Sequence, residues 1–340
     1  HSFPTRRSSD LNSLNLNKLP LRREGIVLAQ PKSTRRRLFV FVAGEFMSKL
    51  SSEMKALAKK AGGSFKTVND RIHITKRFSE HLRALNIQIQ RVEQIKVRHI
   101  ECYIEERLEQ DIGLRTLQNE MAALRSVLRQ AGRRQVVEHP RLTNKALGVS
   151  GASRNGTRRA ITPEHYQQVM EKARAEDEGL AAALEIARLM GLRSQEAVQS
   201  SQSLKTWLKA IERGETRLKV VFGTKGGRPR YTTLLDAGAV RKAVENALPI
   251  ARQRNGRLID KPDLKTALEH WHKQVIKAGL KGEFSPHSLR YAWAQDAIRH
   301  YLAQGFSEKE SLALTATDLG HGDGRGRWVK QVYGYRWKEE

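Results

Sequence analysis

Cysteine is almost missing from this chain: Cys102 is the only one in 340 residues, which rules out an internal disulfide and any site built from several thiolates. It sits in an apolar helical pattern, so a buried thiol in a reducing compartment is expected. Long apolar runs are missing too. No stretch approaches the roughly 18 residues of a membrane span, and no charged-then-apolar secretion signal opens the chain. The eleven histidines are scattered without a carboxylate pattern of metal-ligand spacing, so no metal cofactor is implied. The expected location is the cytoplasm of a cell whose DNA shares that compartment, in association with a bacterial nucleoid.

Acidic residues are scarce beside basic ones. Lysine and arginine outnumber aspartate and glutamate 62 to 36, a formal charge of +26 spread along the whole chain. Such an excess favours a polyanion partner, because each neutralised phosphate releases condensed counterions. Charge alone points to nucleic acid and leaves the chemistry open. The length suits two domains with separate cores.

The opening HSFPTRRSSDL, residues 1–11, begins without methionine and reads like a translated sequencing adapter joined in frame, so it is set aside from the fold as an expected assembly scar. Residues 12–37 are polar and basic without periodicity. They form either a solvated leader or an arm that contacts DNA, with Arg35, Arg36 and Arg37 as candidate contacts.

Residues 38–134 show helical apolar spacing. One face runs through Phe65, Val68, Ile72, Thr75, Phe78, Leu82 and Leu85. A second takes Ile95, His99, Cys102, Tyr103 and Leu108, and a third Leu117, Met121, Leu124, Val127 and Leu128, with Thr116 as its expected cap. Residues 135–160, with His139-Pro140 and GASRNGTRRA, carry little apolar content and read as a linker. From 161 to 340 a second domain follows. Thr162 caps a helix starting at Pro163, Gly191 ends an apolar helix, and two short strands, 217–222 and 231–234, flank the hairpin turn GTKGGRPR. The expected fold class is therefore mainly α with a small antiparallel sheet.

The second half of the chain carries Arg193, Lys225, His287, Arg290 and His321, followed by Tyr333, all within about 140 residues. A phosphodiester under in-line attack gathers negative charge on its non-bridging oxygens. Arginine meets that charge with a planar fork that stays protonated, which suits Arg193 and Arg290. His287 lies one helical turn before Arg290 and can donate to the same phosphate. His321 supplies another hydrogen bond or orients the nucleophile. Lys225, at a hairpin tip, can protonate the departing 5′-oxygen. The Tyr333 hydroxyl can attack phosphorus and store the broken bond as a phosphotyrosine, with Tyr335 as a rival. Arg228, Arg230, Arg325 and Arg327 are candidate contacts to the DNA backbone.

Each piece also has an ordinary structural reading. Arg193 with Glu196 fits a surface helix pair, HSLR a packed histidine beside a surface arginine, and GTKGGRPR a solvated turn. Tyr333 fits an aromatic core stripe with Val332, Tyr335 and Trp337. Their conjunction in one order outweighs the separate readings.

That order, with Gly191-Leu192-Arg193 and Glu196, His287-Ser288-Leu289-Arg290, and Leu319-Gly320-His321 shortly before a tyrosine, resembles the tyrosine recombinase, or phage integrase, family. The segment VRHIECYIEERLEQDIGLRTLQNEMAALRSVLRQAG is similar to the SAM-like core-binding domain that precedes the catalytic domain in that family. The resemblance implies a site-specific recombinase acting on double-stranded DNA attachment sites as a homotetramer, with DNA-bending accessory proteins as further partners, for a prophage or other mobile element. It also implies a local hydrogen-bonding role for Glu196. Three features depart from the family pattern: the long spacing from Arg290 to His321, the stretch GDGRGRW before Tyr333, and the short tail after it. A decayed integrase that only binds DNA and a type IB topoisomerase are the competing readings.

Overall fold

The computed structural model describes residues 48–334. The expected scar at 1–11, the arm with Arg35, Arg36 and Arg37, and Tyr335 lie outside the described residues. The architecture is mainly α with one two-stranded antiparallel sheet, as the patterning predicts. Among the described residues no helix is long and apolar enough to cross a membrane.

The described residues open with α1 (Lys49–Lys60), α2 (Phe65–Ala84), α3 (Val97–Glu109), α4 (Leu114–Gln130) and the short α5 (Arg134–Val137). The Ser48 and Ser64 hydroxyls cap α1 and α2 by accepting from the Ser51 and Thr67 N–H groups, at 3.1 and 3.2 Å. The first apolar face is buried only in its middle: Phe78 and Leu82 are inside, while Phe65 is 89% exposed and Leu85 45%. Helix α4 begins earlier than expected. Thr116 is already in its first turn, its N–H bonded to the Gly113 carbonyl at 2.8 Å, so Gly113 is the cap. Cys102, expected inside, is half-buried.

The expected linker needs the larger correction. Val136, Val137, Leu142, Leu147 and Val149 are all buried in the first core beside Leu117, Met121 and Leu124. Their spacing is irregular because α5 and a turn of 3₁₀ helix at Pro140–Leu142 carry them, which hides them from a periodicity test.

The rest comprises α6 (Pro163–Glu176), α7 (Glu178–Met190), α8 (Ser194–Val198), α9 (Leu204–Glu212), β1 (Arg217–Val220), β2 (Arg230–Thr233), α10 (Ala237–Gln253), α11 (Leu264–Ala278), α12 (His287–Ala303), α13 (Glu308–Asp318) and α14 (Gly326–Val332). Thr162 caps α6 with Pro163 at its first position, as expected. The strands pair with Val220 opposite Arg230, leaving residues 221–229 as the connecting turn. One core gathers around α7, with Leu184, Met190, Trp207, Val244 and Trp271. Another joins α12, α13 and α14 through Trp293, Ile298, Leu312, Leu319 and Val329, and Tyr333 belongs to it.

Candidate active site

Helix α7 ends at Gly191, whose φ of 60° suits glycine, and a Cβ there would lie 2.7 Å from the Trp293 ring. This sharp stop turns the chain so that Arg193 and Glu196 face the start of α12. Arg290, wholly buried in the first turn of α12, donates to the carbonyls of Gly191 and Leu319. Arg193 donates to the same Leu319 carbonyl at 3.0 Å. Two arginines from distant segments thus converge on the carbonyl that precedes Gly320-His321. Gly320, at φ 71°, keeps its turn close to Arg230, whose Cδ would be 2.8 Å from an added Cβ.

Glu196 ties this frame together. Its carboxylate accepts from the Arg193 side chain at 2.6 Å, from the Arg193 backbone N–H at 2.9 Å, and from Arg230 at 2.8 Å. Burial alone would raise its pKa, but Arg230, Arg290 and Arg193 outweigh burial and hold it at about 2.

Arg230 corrects an expectation. Instead of meeting DNA it is buried, and beside Glu196 it donates to the carbonyls of Asp318, at 2.6 Å, and Gly191, at 3.2 Å. The strand alternation carries the reason: Arg230 and Thr232 share the inward face of β2, while Tyr231 points out.

Tyr333 follows α14 and is 1% exposed. Its hydroxyl accepts from Arg290 Nε at 3.2 Å and lies 3.2 Å from His321 Nε2 and 3.5 Å from His287 Nε2. Its ring packs on Tyr291, with centroids 4.7 Å apart, and on the edge of Trp328. Five of the six residues singled out for chemistry, Arg193, His287, Arg290, His321 and Tyr333, therefore form one cluster. Lys225 stands apart from its hydrogen bonds. It is exposed in the turn between the strands and lines a cleft of about 700 Å³ with Arg193, Arg217, Arg228, Tyr231 and His321. Arg228, Arg325 and Arg327 are exposed, and among the described residues no hydrogen bond or ion pair joins them to the cluster. Arg217, which the sequence reading passed over, lines the cleft and is held by Asp318 at 2.9 Å. Its place at the first position of a strand was the available signal. Among the described residues no group of three or more His, Cys, Asp or Glu could hold a metal ion.

Burial, reinforced by Arg290 and Arg193, pushes both His287 and His321 down to about 3. Both imidazoles are therefore neutral near pH 7, and the Nε2 of each can accept a proton from the phenol. The sign for stability follows from the lowered values. Unfolded histidine takes up a proton near pH 6.5 and the folded cluster resists it, so stability is full above 6.5 and is lost as pH falls toward 3. The urea midpoint is expected to drop between pH 7.5 and 5.5, and a His287→Asn variant to show a flatter profile. A wild-type midpoint constant across that range would contradict the burial argument.

A family model described as "Integrase" matches residues 148–296, and one described as "Phage integrase, N-terminal" matches residues 47–137. A search of curated proteins found no match. Solved structures share the fold. A lambda integrase tetramer bound to a Holliday junction is similar at 18% identity and a TM-score of 0.53, covering 85% of this chain and 78% of that one. The integrase of transposon Tn1549 in complex with a circular intermediate DNA is similar at 11% identity and a TM-score of 0.56, covering 84% and 95%. The same integrase with transposon right end DNA gives 12% identity and 0.55, again covering 84% and 95%. With both matched regions in the order that the motifs imply, and an arginine and histidine cluster around a tyrosine on this fold, the chain belongs to the tyrosine recombinase, or phage integrase, family.

Proposed function

We propose that this integrase-family chain is a site-specific recombinase that cuts and rejoins duplex DNA through a 3′-phosphotyrosyl intermediate on Tyr333. The observation that carries the reading is the convergence of Arg290, His321 and His287 on one oxygen, the Tyr333 hydroxyl. In the proposed step that oxygen bonds to phosphorus as the bond from phosphorus to the 5′-oxygen breaks. The phenol proton passes to His321 Nε2, and Lys225 gives a proton to the departing 5′-oxygen. Arg193, Arg290 and His287 hold the non-bridging oxygens, where fixed donors count most in a water-poor site. The ester conserves the energy of the broken bond, so a 5′-hydroxyl from another strand can reverse the step without a nucleotide.

The net charge of +26 suits a DNA partner. In this reading the helices of 48–137 form a core-binding domain that grips a second face of the duplex, residues from 161 onward form the catalytic domain, and Arg228, Arg325 and Arg327 meet backbone phosphates. The similar lambda assembly is a tetramer on a Holliday junction and the Tn1549 enzyme is a transposon integrase, which supports a tetramer serving a mobile element. Work on cellular DNA would place the protein in the cytoplasm with the nucleoid.

The test is strand exchange between two duplexes bearing the end sequences of the element, without added metal or nucleotide. Joined recombinant strands are expected. Relaxation of a supercoiled plasmid lacking any attachment site would point to a topoisomerase, and binding without strand joining to a decayed integrase.

A further inference from the structure

Residues 149–156 touch both α4 and α14, the helix that leads into Tyr333. From α4, Gln118 donates to the Val149 carbonyl at 2.8 Å and Arg115 to the Ser153 carbonyl at 3.1 Å. At the far end the Gly156 N–H donates to the Gln331 carbonyl at 3.2 Å, and the Gln331 amide donates to Asn155 Oδ1 at 3.3 Å. The approach at Gly156 is very close: an added Cβ would lie 1.9 Å from the Val332 carbonyl oxygen and 2.7 Å from Tyr291 Oη. Gly156 has no left-handed φ, so space alone demands glycine here.

Helix α14 packs on α13, and Gln295 of α12 donates to the Tyr333 carbonyl at 3.2 Å. Helix α14 spans seven residues, of which only Val329 is buried, and Lys330 ties it to Glu308 at 2.6 Å. Tyr333 beyond it is 1% exposed, and its hydroxyl accepts from Arg290 Nε and sits against the Nε2 atoms of His321 and His287. A phosphodiester in solution cannot reach an oxygen so covered. In the proposed reaction Arg290 and His287 serve the incoming phosphate instead, which requires α14 to shift before chemistry. The strap lies across α14 and is attached at its other end to α4, in a separate core.

We propose that residues 153–156 are a latch that keeps Tyr333 seated, and that movement of α4 with its bundle draws the strap off α14 and frees the tyrosine. This rests on Tyr333 as the nucleophile, and the test separates the two ideas. The DNA-free full chain is treated with tetranitromethane, and nitration of each tyrosine is read by peptide mass spectrometry. In wild type Tyr333 is expected to be protected. In Gly156→Val its nitration is expected to rise several-fold, while Tyr103, buried in the other core, stays protected and reports an intact fold. Tyr333 equally protected in both proteins would overturn the latch. Should Tyr103 also react, Asn155→Ala replaces the valine variant. It deletes one exposed hydrogen bond and is expected to raise Tyr333 nitration by about twofold, and no rise would overturn the latch. On a nicked duplex at saturating concentration, Gly156→Val is expected to form covalent adduct faster than wild type, and an equal or slower rate counts against the latch. If wild type forms no adduct, the nucleophile reading fails while the nitration comparison still decides the latch.

Discussion

Glu196→Ala is expected to destabilise the protein by about 3–5 kcal/mol, the range for removing one partner of a buried ion pair. Glu196 is 1% exposed and Arg230 is 5% exposed, so alanine leaves a buried guanidinium with only backbone carbonyls around it. Burial already pushes the Arg230 guanidinium down to about 10 with the carboxylate present. Arg193 would lose its 2.6 Å partner at the same time, so its side chain loosens as stability falls. Urea unfolding measures the loss, and one below about 1 kcal/mol, the size of an exposed pair, would show that Glu196 is not the tie described here. An Arg230→Met, Glu196→Leu double variant is expected to recover part of the stability, because it removes both desolvated charges together.

Arg290→Lys is expected to slow strand cleavage by about 10²–10³-fold or more while leaving DNA affinity within a few-fold, the loss typical of a fixed donor aimed at developing charge. The substitution keeps the positive charge, so the loss is one of geometry. The Arg290 fork reaches the Gly191 and Leu319 carbonyls and still presents Nε to the Tyr333 hydroxyl. A single ammonium on a flexible stem cannot hold three such directions. Single-turnover cleavage of a nicked duplex, with binding measured by titration of the same duplex, separates the two effects. Cleavage within tenfold of wild type would remove Arg290 from the machinery.

The contrast between Arg290 and Arg230 shows what the sequence revealed. Arg290 was legible because HSLR stands in a fixed order with GLR and LGH, and that order survives folding as one cluster. Arg230 stands in an equally basic turn, where charge reads as surface. Only the pairing of β2 against β1 turns it inward to Glu196. Gly191 was legible as a helix stop because a local rule governs it. The buried run from Val136 to Val149 was not, since turns scatter its apolar residues off any single period. The contact of Gly156 with Val332 joins residues far apart in the chain and leaves no local signature. Position along the chain thus picked out residues that the fold gathers into one cluster, whereas burial of charge and approach of backbones emerged only from tertiary packing.

Covalent trapping tests the central claim most directly. Wild type, Tyr333→Phe and Tyr335→Phe are each incubated with a nicked duplex bearing the attachment sequence, without metal, then denatured and mapped by mass spectrometry. The expected result is a denaturant-resistant adduct in wild type and in Tyr335→Phe, with the nucleotide on Tyr333, and none in Tyr333→Phe. An adduct that persists in Tyr333→Phe, or none in wild type despite intact DNA binding, would contradict the assignment of Tyr333 as the nucleophile.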